Sequence, residues 1–169
     1  GPTAAEAAHW MAKSLLKDKQ PAEALAALEK ALPQAGQGPY AAQLLMDQAD
    51  ALYEVPERRK EAAEAYAAVA AKYPNDPVAP QALYGAGFAA LEQGAYEAAS
   101  KYAADFLAAH ANHELAPDVL HIAAESQLLL GKVPEAEAKY DQLLQKYPNH
   151  PDADLWKVRR ALALTLQKK

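Results

Sequence analysis

The sequence has no cysteine, which excludes disulfide staples and thiolate chemistry. Ser/Thr hydroxyls are nearly as scarce. Only Thr3, Ser14, Ser100, Ser126 and Thr165 occur, and none stands in a Gly-x-Ser-x-Gly elbow. No glycine-rich loop of the phosphate-cradling kind is found among the seven glycines. A basic excess is missing too. Lys and Arg number 17 against 22 Asp and Glu, a net charge of -5, which argues against nucleic acid as the partner. No stretch approaches the ~20 apolar residues that span a bilayer, so this segment is not expected to insert into a membrane. Carboxylates are plentiful, but on helices they usually form a solvated face. With so empty an inventory, no enzymatic activity and no cofactor are expected. His110 and His113 lie i, i+3 with Glu114 beside them and could face one ion. Their spacing straddles a joint between helices, however, so they read as loop histidines and no metal site is assigned.

The 169 residues are 51% hydrophobic and 23% charged, the balance of a folded globular chain. That length can bury about 70% of the unfolded surface in one domain. Alanine, the best helix former, supplies roughly a quarter of the residues. Gly1 and Pro2 read as the remnant of a protease cleavage and are set aside, with the native N-terminus expected to lie elsewhere.

The chain repeats itself. "KYPNDP" (72–77) returns as "KYPNHP" (146–151), 74 residues later. Half that step aligns "AKYPNDPVAP" (71–80) with "AAHANHELAP" (108–117), and the following segments stay in line without gaps. Small residues recur in one helical slot at Ala12, Ala49, Gly87, Ala124 and Ala161, with steps of 37, 38, 37 and 37. Within each unit apolar residues recur at i, i+3, i+4 and i+7, as in Leu25, Leu28 and Leu32, so each unit reads as two helices. Gly94 and Gly131 fall where the first helix must stop, because glycine tolerates the left-handed conformation after a helix end. The "YPN" proline ends the second helix. Asp76 is expected to cap the next helix, with Pro77 in its first turn. The stretch "PQAGQGPY" (33–40) reads as a loop between repeats, and no strand pattern is visible.

These features resemble the tetratricopeptide repeat (TPR) family. Gly94, Tyr96 and Ala99 match its pattern in the third unit, and Gly131, Ala136, Tyr140 and Pro148 match in the fourth. Ala62, Tyr66 and Pro74 match in the second, and Ala24, Leu28 and Ala31 in the first. The resemblance implies an all-α fold, a right-handed α-solenoid of about four helix-turn-helix units in a single domain, 3–169. The units are expected near 5–38, 42–76, 80–113 and 117–150, with a capping helix at 152–167 made polar by Arg159, Arg160, Lys168 and Lys169. The 37-residue step and the "YPN" joint resemble one subgroup, that of the bacterial Tol–Pal coordinator and the β-barrel assembly lipoprotein. That likeness implies a periplasmic or cell-envelope setting.

The family's concave groove binds a protein or peptide partner. Its groove positions carry over to Trp10, Lys13, Asp47, Asp50, Tyr53, Tyr84, Phe88, His121 and Glu125. Such an acidic, aromatic groove suits a segment bearing apolar and basic side chains. The carboxylate clamp of the chaperone-binding members is not expected, since its positions hold His9, Lys13, Asp47, Gln81 and Gly85. The alternatives are a structural module that associates with itself and a docking domain of a larger protein.

Overall fold

A computed structural model describes residues 3–168. Its helices are α1 (Ala4–Lys17), α2 (Pro21–Ala35), α3 (Ala41–Glu54), α4 (Ala62–Lys72), α5 (Ala79–Glu92), α6 (Tyr96–Ala109), α7 (Ala116–Leu129), α8 (Val133–Lys146) and α9 (Ala153–Gln167). A 3-10 helix, Pro56–Glu61, joins α3 to α4 and absorbs the one extra residue of the second repeat. No strand occurs among the described residues. The fold is thus all-helical, with helices packed in consecutive pairs. Among the described residues no helix is long and apolar enough to cross a membrane.

Two compact units divide at Ala89. In the first, α1 packs on α2, α2 on α3 and α3 on α4. The start of α5 joins through Ala82 and through Val78 in the turn before it, which meet Val69 and Ala70 of α4 and Ala42 of α3. In the second, α6, α7, α8 and α9 pack each on the next. Its core is centred on Tyr140, Leu143 and Trp156, all fully buried.

The helix stops are built from one hydrogen-bond motif. After α7, Gly131 adopts φ 76° and donates to Leu128 O, while Lys132 donates to Gln127 O. The same pair of bonds follows α5 at Gly94 and Ala95, also with φ 76°. This double closure satisfies carbonyls that the helix end leaves open. After α1 the motif recurs with Lys19, at φ 58°, in the glycine's place.

The joints between repeats correct one expectation. Asp76 is not the cap of α5. Its Oδ1 accepts from Val78 N at 3.0 Å inside a turn that precedes the helix, which begins only at Ala79. Pro77 lies in that turn and not in the helix. His113 and His150 perform the same task, each accepting through Nδ1 from the amide two residues on, at 3.1 Å. The backbone bonds are also the same in all three joints: the turn residue donates to the carbonyl three back, and the residue three on donates to it. The sequence "PNDP" thus marks a turn whose side-chain acceptor can be a carboxylate or an imidazole. The loop expected at 33–40 is shorter, because α2 continues through Pro33 to Ala35.

Four of the five small slots are buried: Ala12, Ala49 and Ala124 are fully enclosed, and Gly87 is buried. Ala161 departs from the pattern and is exposed. In α7 the slot faces the helix that follows, whereas no helix follows α9 among the described residues. The expected polar cap also differs in detail. Arg159 and Arg160 turn inward, to Glu125 and to Glu137 and Asp141 respectively. The outer side of α9 instead exposes Leu155, Val158 and Leu162. Lys168 is exposed, and Lys169 lies outside the described residues.

Candidate functional site

The groove positions of the first unit lie on α1, α3 and α5. Tyr53 on α3 and Tyr84 and Phe88 on α5 form one aromatic group. Phe88 stacks on Tyr84 with ring centroids 6.0 Å apart and is tilted against Tyr53 at 6.3 Å. Four residues separate Tyr84 from Phe88, so both project from one face of α5. Phe88 is 37% exposed although its chemistry favours burial, while Tyr53 and Tyr84 are half-buried. Arg59 covers the Tyr53 ring, with its guanidinium carbon 5.1 Å from the centroid and Nε donating to Tyr53 O at 2.7 Å.

Two acids predicted for the same surface have different fates. Asp47 is only 2% exposed and accepts from His9 Nδ1 at 2.6 Å. Burial pushes its carboxyl above the ordinary carboxylate range, against the opposing pull of His9 and Lys13. Asp47 is thus buried against α1, with His9 between it and the surface expected to meet a ligand. Asp50, one turn on, stays half-buried, and its Oδ1 accepts from the Tyr66 hydroxyl at 2.5 Å. Burial raises its carboxyl as well, and the Tyr66 bond and the Lys13 charge oppose that shift. The Tyr66 hydroxyl rises in turn, mainly through burial and then through the adjacent carboxylate. Lys13 is exposed on the same side. Trp10 is 60% exposed, its ring 4.8 Å from that of His9.

The groove positions of the second unit are already occupied from within. Glu125 accepts from Nε and Nη2 of Arg159 and from the hydroxyl of Tyr140. His121 lies between the rings of Tyr140 and Trp156, at 6.2 and 6.3 Å. Burial lowers its pKa. Sequence reasoning missed the tyrosine partners Tyr66 and Tyr140, although both stand in the same slot of the repeat, 74 residues apart. An acid on one helix facing a tyrosine on the next was the available signal.

For metals, His110 and His113 pack edge-on against Phe106, and His113 is committed to its turn. Among the described residues one other group, Asp118, His150 and Asp152, brings three ligating atoms within 4.8 Å of one another. There too, His150 Nδ1 is taken by the Asp152 amide.

The tetratricopeptide repeat family model matches residues 57–114 and 89–151, which together span more than half of the chain. No curated protein matches the sequence. Among solved structures, TPR-like repeats of a kinesin light chain from Podosopora anserina superpose with a TM-score of 0.76 at 18% identity, covering 99% of this chain and 90% of that one. A tetratricopeptide repeat protein from Parabacteroides merdae gives 0.79 at 15% identity, covering 96% and 60%. MamA from Desulfovibrio magneticus gives 0.72 at 14% identity, covering 99% and 97%. At such identities the structures speak for the fold alone. Recurring positions within the chain, consecutive helical pairs and the family match agree: this chain belongs to the tetratricopeptide repeat family.

Proposed function

We propose that the chain is a non-enzymatic scaffold that binds a segment of a partner protein on the α3–α5 surface of its first unit. Tetratricopeptide repeats generally mediate contact between proteins, and the carrying observation here is the aromatic Tyr53–Phe88–Tyr84 group, with Phe88 exposed between two half-buried tyrosines and Asp50 nearby. Rigid aromatic side chains lose little conformational freedom on binding and dominate contact energies. Replacing Tyr84 or Phe88 by alanine should weaken binding of a selected peptide by about 1–4 kcal/mol. Calorimetry on variants of unchanged helicity is the measurement. Unchanged affinity in both would reject the surface.

A bacterial envelope setting belongs to the same reading, supported by the 37-residue step and the "YPN" joint. Fractionation of the source cells that finds the protein in the cytosol would reject that setting. A second reading, self-association, draws on Leu155, Val158 and Leu162 exposed along α9. Light scattering over a wide concentration range decides it, since a constant monomer mass rules it out.

A further inference from the structure

The acid–tyrosine pair of the groove is built twice, and only one copy is complete. In the second unit, Tyr140 donates its hydroxyl to Glu125, and Arg159 of α9 closes the group. Arg159 Nε donates to Glu125 Oε2 at 2.9 Å, and Nη2 donates to Oε1. The repeat register sets Tyr66 on Tyr140, Asp50 on Glu125 and Gly85 on Arg159. In the first unit the tyrosine bond is kept, Tyr66 to Asp50 Oδ1 at 2.5 Å. The third member is missing, because Gly85 has no side chain. Even a Cβ there would lie 2.9 Å from Tyr66 Cδ1. The second carboxylate oxygen of Asp50 carries no hydrogen bond or ion pair among the described residues.

Beside this half-satisfied acid opens a cavity of about 540 Å³, lined by Leu16, Tyr53, Glu54 and the two lysines of α1, Lys13 and Lys17. Lys13 makes no ion pair among the described residues, although its charge favours the ionised form of Asp50. An ammonium is a compact, strongly hydrated point charge. A guanidinium is planar, less hydrated, and offers the paired donors that a carboxylate accepts. The second unit shows that fit made within the chain.

We propose that the cavity beside Asp50 receives an arginine side chain of the bound segment, its guanidinium pairing with the Asp50 carboxylate as that of Arg159 pairs with Glu125. The proposal rests on the groove reading above and names the residue that the groove selects. Leu16 and Tyr53 would carry the arginine's methylene stem, as apolar surfaces do for long charged side chains. Lys13 then competes with the ligand instead of assisting it. The opposite holds if a peptide carboxylate enters.

The test selects dodecapeptides from a random display library on the full chain and discards those whose retention survives Phe88→Ala. The remaining peptides should share an arginine next to an apolar residue. Exchanging that arginine for citrulline, neutral and nearly isosteric, should weaken binding at least about tenfold, as a close charge pair implies. Asp50→Asn should bring the arginine-to-citrulline ratio close to one, and Lys13→Met should raise affinity for the arginine peptide. If Asp50→Asn loses helicity, the unmodified protein supplies the readout: the arginine peptide, and not its citrulline analogue, should shift the Asp50 carboxyl carbon resonance. Peptides that depend on Phe88 but show no arginine preference overturn the subsite and leave the groove standing. So does a ratio that survives Asp50→Asn, or a loss of affinity in Lys13→Met. A library that yields no Phe88-dependent peptide overturns both.

Discussion

Lys19 holds a backbone conformation that costs an ordinary L-residue about 1–2 kcal/mol. It closes α1 with the same two hydrogen bonds that Gly94 and Gly131 use after α5 and α7, at φ 58°. Lys19→Gly should therefore raise stability by roughly 0.5–1 kcal/mol, since relief of the strained conformation outweighs the added freedom of the unfolded chain. A denaturant midpoint shifted upward at unchanged slope is the expected result. A downward shift would show that the lysine side chain contributes more than its backbone costs. The small slots are the complementary case. Ala124 is fully enclosed and Gly87 is buried, so leucine at either has no room. Overpacking should lower stability by about 1–3 kcal/mol. Thermal melts matching the parent protein would show that the repeat register is misplaced.

Among elements, α9 has the clearest burden. Trp156 is fully buried against Tyr140 and Leu143, and Arg159 neutralises Glu125. Removing residues 152–169 uncovers that apolar surface and leaves a partly buried carboxylate without its cation. The truncated chain is expected to aggregate or lose helical signal in circular dichroism. A soluble truncation of full helicity contradicts the structural role of α9. The position of this helix followed from the repeat step, yet the use of its residues did not. Its basic residues were read as polar exterior, but two of them face inward, and exposed leucines take their place. Charge alone does not say which side of a terminal helix has a partner. That depends on whether acids such as Glu125, Glu137 and Asp141 lie within reach.

Across the whole molecule, titration acts in two windows of opposite sign. Burial holds the His121 pKa below its ordinary 6.5, so the folded second unit favours the neutral ring. Its stabilising contribution is complete above that value and is lost as pH falls through the lower folded pKa. Asp47 and Asp50 of the first unit are raised above their ordinary 3.8, so their contribution is complete only below that pH and is lost as pH rises through the folded values. Acidification from pH 7.5 to 5 should thus lower the unfolding temperature reported by Trp156, which is buried in the second unit. A Trp10→Phe background removes the exposed indole of the first unit from the signal. His121→Gln should flatten this dependence; an equally steep profile in that variant would assign the effect to another group.

Sequence alone determined the helical class, the repeat step, the glycine stops and the enclosed slots at Ala12, Ala49, Gly87 and Ala124. Each follows from local physics: alanine-rich periodicity, the left-handed backbone of Gly94 and Gly131, and the tight approach that a small side chain allows. Tertiary structure alone decided which groove positions remain open. Asp47 and Asp50 sit three residues apart on one helix, and no local rule separates them. His9 of α1 reaches the first and buries it, while Tyr66 of α4 holds only one oxygen of the second. Glu125, in the same register position as Asp50, is closed because an arginine arrives from α9 where α5 has a glycine. Such pairings join residues 16 to 38 positions apart in the chain, so burial and charge there depend on helix packing and not on local sequence.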